Sequence, residues 1–244
     1  MSVAFTLFLA GCFYRPEPLI RLKPAALQNW VWQNGSEMIE TNGLNSSTYL
    51  NFIDSNSDEI VFSCRIVNTG NETLTVDPVT FNCHYTAEGK KPVDLIFGAI
   101  DPQAKIMQVD KQIASERAKY KSQVGSDNTL VFFDLIGSFA DIFSRPKNDH
   151  DRDDREKAAE KRREQAEKRE DEQKETLKRI EHLEQLREDM KNSLLQTSTV
   201  QPGESVTGYI IFPRMTDARR LEVHIYVAGE PATFLFDQEL IQVN

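Results

Sequence analysis

The reactive side chains of this 244-residue sequence are few: three cysteines and four histidines. Cys64 and Cys83 make the strongest pair. Each stands on the apolar side of a strand-like alternation, Phe62-Cys64-Ile66 and Phe81-Cys83-Tyr85. On neighbouring strands in an oxidising compartment, such a pair is a candidate disulfide. Two buried free thiols fit the same pattern, because cysteine packs as a small apolar core residue. Either outcome is structural rather than catalytic. His84, His150, His182 and His224 are scattered, whereas a metal site needs three or four convergent ligands. No metal or other cofactor is therefore expected. The sequence holds no Gly-Xaa-Ser-Xaa-Gly, no phosphate-cradling glycine loop and no His-Glu-Xaa-Xaa-His. No catalytic residue is assigned. A Ser, His and Asp set dispersed along the chain is the one hydrolytic arrangement left open.

The elements that position these residues come in three blocks. From Trp30 to about Leu95, short strand-like runs alternate with turn signals. Trp30-Val31-Trp32 precedes the turn Gln33-Asn34-Gly35. Glu37 to Thr41 precedes Asn42-Gly43, and Thr48 to Ile53 precedes a polar loop. Ile60 to Asn68 is the clearest strand. Thr69-Gly70-Asn71-Glu72 reads as a hairpin turn, and Asp77-Pro78 stops the strand after it. The same texture returns at the other end. Val206 to Phe212, Leu221 to Val227 and Thr233 to Gln242 read as strands, with turns at Gln201-Pro202-Gly203-Glu204 and Gly229-Glu230-Pro231.

The middle block is helical. Asp101-Pro102 starts a helix in which Ile106, Val109, Ile113, Tyr120 and Val124 recur at helical spacing. A second, strongly apolar helix is expected over 128–144. Its Leu130, Phe132, Phe133, Ile136, Phe139, Ile142 and Phe143 exceed what one charged helix can cover. Three readings stay open: they fold back and close an open face of the sandwich, they form a candidate interface for an envelope partner or for self-association, or they insert at a membrane surface. A third, long helix runs from Asp149 to about Leu195. Its first half is almost purely charged, a solvated face laced with i,i+4 pairs. Its second half gains an apolar face at Leu177, Ile180, Leu183, Met190 and Leu194, which should pack on Ile106, Ile113 and Tyr120. The fold class expected is α+β. An immunoglobulin-like antiparallel β-sandwich, built from 29–100 and 199–244, is interrupted by a long coiled-coil-like helical excursion over 101–198. The strand segments together come close to the roughly 100 residues of such a sandwich.

Composition narrows the function classes. Lys and Arg number 29 against 38 Asp and Glu, a net charge of −9. With no basic patch outside the mixed-charge block, nucleic acid is not an expected partner. No apolar run reaches the roughly 18–20 residues that span a bilayer as a helix.

The first twelve residues carry an address. Val3 to Ala10 is apolar apart from Thr6, the length of a short signal h-region. It ends in Leu9-Ala10-Gly11-Cys12, which resembles the lipobox of bacterial lipoproteins. That resemblance implies cleavage of residues 1–11 as a signal peptide and acylation of Cys12. No Lys or Arg precedes the apolar run, a departure from the pattern. Residues 12–28, with Arg15-Pro16-Glu17-Pro18 and Lys23-Pro24, read as an extended tether.

Beyond the lipobox, the chain resembles a group of uncharacterised bacterial envelope lipoproteins with an immunoglobulin-like β-sandwich and a helical insertion. The residues that carry the resemblance are Trp32-Gln33-Asn34-Gly35, Asn68-Thr69-Gly70-Asn71, Asp77-Pro78 with Phe81, Asp101-Pro102, and Thr199 to Val206 with Phe212-Pro213. These are structural turns and bring no activity with them. The resemblance implies a protein held in the bacterial envelope, at the outer membrane, by an N-terminal lipid. The expected function is a non-catalytic interaction or scaffolding module. An envelope hydrolase with a dispersed active site is the alternative.

Overall fold

The computed structural model describes residues 18–33, 35–87, 93–143 and 149–241, apart from the side chains of 93–94 and 125–156. The chain divides into a strand unit, which runs up to Asp101 and resumes at Leu194, and a helical unit, Pro102–Ser193.

The strand unit contains two five-stranded antiparallel sheets. One holds, in spatial order, β1 (Leu19–Pro24), β12 (Glu230–Ile241), β11 (Ala218–Val227), β7 (Asn82–Ala87) and β8 (Val93–Gly98). The other holds β10 (Ser205–Pro213), β5 (Glu59–Asn68), β4 (Ser46–Ser55), β3 (Ser36–Asn42) and β2 (Trp30–Gln33). A short pair, β6 (Leu74–Val76) and β9 (Ser198–Val200), stands beside them. All three combine strands from before and after the helices.

Alternation drives this arrangement, since a strand sends successive side chains to opposite faces. On β5, Ile60, Phe62, Cys64 and Ile66 are all fully buried. On β11, Leu221, Val223 and Ile225 are buried likewise, and on β12 Phe234 and Phe236. These inward faces form one shared core. Phe62 of one sheet meets Phe236 of the other with ring centroids 5.1 Å apart, and it also packs edge-on against Phe52 and Phe212. Two antiparallel sheets over a common core are compatible with a β-sandwich.

Leu19–Pro24 differs from the tether expected there. It is strand β1, paired with β12 from Leu19 opposite Ile241 to Pro24 opposite Phe236. Ile20 and Leu22 are buried while Arg21 is exposed, so the segment has the alternation of a half-buried strand. Pro24, its last residue, is tolerated because β1 is an edge strand. The β11–β12 hairpin closes on Ala228-Gly229, with φ of 52° and 84°. Both residues take the positive φ that a two-residue type I′ turn requires.

The helical unit also departs from expectation. One continuous helix, α1 (Pro102–Phe143), replaces the two helices read from the sequence. Gly125-Ser126-Asp127 does not break it. A single interior glycine costs a helix only about 1 kcal/mol relative to alanine. The return helix α2 is Asp149–Ser193. The helices run antiparallel, as the ion pairs Asp110–Arg187, Arg117–Glu184 and Glu116–Arg179 show. Ile106, Val109 and Ile113 of α1 and Thr176 and Ile180 of α2 are buried. Leu177, expected on the packed face, is 46% exposed. Thr176 takes the buried place instead, its hydroxyl donating to the Glu172 carbonyl at 2.8 Å. Leu194 belongs to the strand unit, where it forms a parallel bridge with Tyr209.

Candidate functional site

The residues singled out in the sequence fall into three groups. Cys12 lies outside the described residues. So do the side chains of Leu130, Phe132, Phe133, Ile136, Phe139, Ile142 and Phe143; their backbone forms the last part of α1. Cys64 and Cys83 are both seen, and the candidate disulfide between them is not formed: both are free and buried. They occupy inward positions on β5 and β7, strands of different sheets, each filling its own place in the core. Burial pushes both thiols up to about 12, which leaves them protonated and poorly nucleophilic.

The turn motifs are structural, as their chemistry suggests. The Asn68 amide donates to the carbonyls of Glu72 at 2.7 Å and Val200 at 3.0 Å, and its Oδ1 accepts from the Gly70 amide at 3.0 Å. It ties the β5–β6 turn to β9. The Asp77 carboxylate accepts from the Val79 amide at 3.3 Å and the Thr197 hydroxyl at 3.1 Å. It caps the short 3-10 turn Pro78–Thr80 and fastens it to the chain returning from α2.

A constellation the sequence did not indicate lies on the outer face of the first sheet. His84 of β7 and His224 of β11 converge, with ring centroids 4.7 Å apart and planes at 67°. Register brings them together: Glu222 stands opposite His84, and His224 opposite Asn82. On the other side His224 stands opposite Thr233 of β12, whose Oγ1 lies 3.1 Å from Nδ1. Glu222 Oε1 lies 3.4 Å from Nε2. Burial holds the His224 imidazolium below its ordinary pKa, Glu222 works against this and His84 adds to it. His224 is consequently neutral at neutral pH and hydrogen-bonded through the hydroxyl.

A threonine, a histidine and a glutamate in contact resemble a nucleophile, base and orienting acid. The setting works against that chemistry. All three side chains project from regular strands, and β11 lies between β7 and β12. Its amides are committed to the ladders on both sides, so they do not provide oxyanion donors. Further along the same face, Arg220 pairs with Asp237 at 2.8 Å and Lys23 with Glu239 at 2.8 Å. Exposed pairs of this type contribute at most about 1 kcal/mol each. Among the described residues, no three His, Cys, Asp or Glu side chains gather as metal ligands. Among the same residues, no helix is long and apolar enough to cross a membrane.

No family model, no curated protein and no solved structure matches this chain.

Proposed function

We propose that the chain is a lipid-anchored protein of the bacterial cell envelope, at the outer membrane, acting as a non-catalytic interaction or scaffolding module. The observation that carries this reading is Leu9-Ala10-Gly11-Cys12 at the end of a short apolar run. A thiol at that place is the group that thioether acylation requires. The two-sheet unit would then be an immunoglobulin-like sandwich held beside a membrane, and α1 with α2 a coiled-coil-like arm. Leu130, Phe132, Phe133, Ile136, Phe139, Ile142 and Phe143 supply the arm with a surface for an envelope protein or for a second copy. Metabolic labelling with palmitate tests the anchor. Label should enter the wild type and not Cys12→Ser, which should accumulate as unprocessed precursor. Equal labelling of both would overturn the reading.

The Thr233, His224 and Glu222 contacts favour the envelope hydrolase as a second reading. Assay of the membrane-purified chain against a panel of activated esters, beside Thr233→Val, tests it. Turnover lost in the variant would support an enzyme, and turnover equal in both would exclude this site.

A further inference from the structure

The place where the described chain begins marks one end of the strand unit. There the Arg214 guanidinium donates to the carbonyls of Pro18 at 2.7 Å and Asn56 at 2.6 Å. Nearby, the Ser55 hydroxyl donates to the Ile20 carbonyl at 3.4 Å. The β4–β5 and β10–β11 turns therefore gather around Pro18. Register places more residues at this end. Leu19 pairs with Ile241 and Ile20 with Leu240. Pairing of Met38 with Asn51 and Asn42 with Ser47 runs β3 away from it. The β2–β3 turn therefore lies toward this end, with Trp32 opposite Glu37.

Several large apolar side chains toward this end are exposed. Leu19, Ile53, Leu240 and Ile241 are exposed, and Trp32 is 62% exposed. Trp30, also exposed, packs edge-on against Trp32 at 6.0 Å. Both indoles stand on β2, the outermost strand of its sheet. A single exposed apolar side chain is ordinary, but five toward one end of a unit, with Trp30 packed beside Trp32 as a sixth, point to a contact surface.

The chain ahead of Pro18 indicates what makes that contact. Cys12 precedes Pro18 by only six residues, a span of at most about 21 Å when fully extended. Acyl chains on Cys12 would lie in the hydrocarbon layer, which would keep this end of the unit close to the lipid headgroups. Indoles favour that boundary, where the ring is half apolar and its N–H meets water. We propose that Leu19, Trp30, Trp32, Ile53, Leu240 and Ile241 form a membrane-docking surface that seats this end of the strand unit on the lipid layer holding its anchor. The inference rests on the proposed lipid anchor for its direction. With Glu37, Asp54 and Asp58 at the same end and a net charge of −9, attraction comes from apolar and aromatic insertion rather than from basic residues. The lipid it fits is zwitterionic.

Trp30 and Trp32 are the only tryptophans in the chain, so its indole fluorescence reports this surface alone. The full chain, purified from membranes, is reconstituted into phosphatidylcholine vesicles with plain or brominated acyl chains. The mass of its N-terminal peptide is read on the same sample. Emission should be lost in the brominated vesicles. The paired change Leu240→Asp and Ile241→Asp should restore much of it, with circular dichroism unchanged. Unquenched indoles in a folded protein would overturn the proposal whatever the peptide mass. Unquenched indoles with concentration-dependent dimers would overturn it in favour of β2 pairing with a second copy. Quenched indoles on an unacylated peptide would support docking while removing the lipid anchor.

Discussion

The imidazoles of His84 and His224 meet edge to face across neighbouring strands, 4.7 Å between centroids, with Glu222 3.4 Å from His224 Nε2. Protonating His224 would place a partly buried cation against the His84 ring, with Glu222 as the adjacent carboxylate.

That relationship sets a pH dependence. The folded-state pKa of His224 is lowered, chiefly by burial. The unfolded chain therefore takes up the proton first as pH falls, and its contribution to stability is lost on the acid side of the ordinary histidine value near 6.5. Thermal unfolding from pH 8 to pH 5 should show the wild type losing stability faster than His224→Gln. The difference in slope should not exceed about 1.4 kcal/mol per pH unit, the limit for one proton. Parallel pH curves would remove His224 from the linkage.

Phe62 packs on Phe52 and Phe212 of its own sheet and reaches Phe236 of the other. Phe62→Ala should destabilise the strand unit by about 3–5 kcal/mol, the usual range for an aromatic cavity. Urea unfolding followed by far-ultraviolet circular dichroism measures it.

Gly208 leaves no room for a side chain. A Cβ there would lie 2.5 Å from the Leu195 amide nitrogen and 2.6 Å from its Cα. The neighbouring Leu195 N–H donates to the Tyr209 carbonyl at 2.9 Å, so the approach is fixed by backbone on both sides. Gly208→Ala should cost about 1–3 kcal/mol through overpacking, and it should loosen the segment around Leu195 in hydrogen exchange.

Cys64 and Cys83 should resist alkylation in the native protein between pH 7 and pH 9, because burial shields both thiols and pushes them up to about 12. In guanidinium without reductant, both should react fully with N-ethylmaleimide. Peptide mapping distinguishes this from a disulfide, which would leave both unlabelled.

The unit boundary is testable by deletion. Joining Asp101 to Leu194 through a Gly/Ser linker should leave a β-protein by circular dichroism. A cut that removes 101–198 also takes Leu195, 1% exposed in the core, and the start of β9. That shorter chain should be less stable by a few kcal/mol, the cost of a lost core leucine.

The sequence made the local alternations legible. Phe62, Cys64 and Ile66 lie inward as their spacing required, and the Asn68 and Asp77 motifs close turns. Ile20 and Leu22 carried the same alternation, but Pro16, Pro18 and Pro24 around them suggested a tether. Their partner, β12, lies more than two hundred residues away. Both halves of α1 are legible as helices but their continuity is not, because Gly125-Ser126-Asp127 between them are weak helix formers that lower helix propensity without ending the helix. Convergence of His84 with His224 depends on β11 pairing with β7. That register is set across the whole strand unit, and no short-range pattern encodes it. The choice between a disulfide and two free thiols at Cys64 and Cys83 also depended on which sheet each strand joins.

The two junctions with the helical unit both fasten to β10. Ile100 donates to the Ile211 carbonyl at 2.8 Å and Leu195 to the Tyr209 carbonyl at 2.9 Å. The acceptors are two residues apart, about 7 Å along a strand. Bringing such points together across roughly ninety flexible residues would cost on the order of 4 kcal/mol in chain entropy. If α1 and α2 zip together first, most of that search disappears, because the helical hairpin delivers its own ends to one place. The order of events during folding then matters. A weakened helix pair, such as Ile180→Ser, would slow assembly of the sheets more than it lowers their final stability, although Ile180 is not part of the strand unit's core.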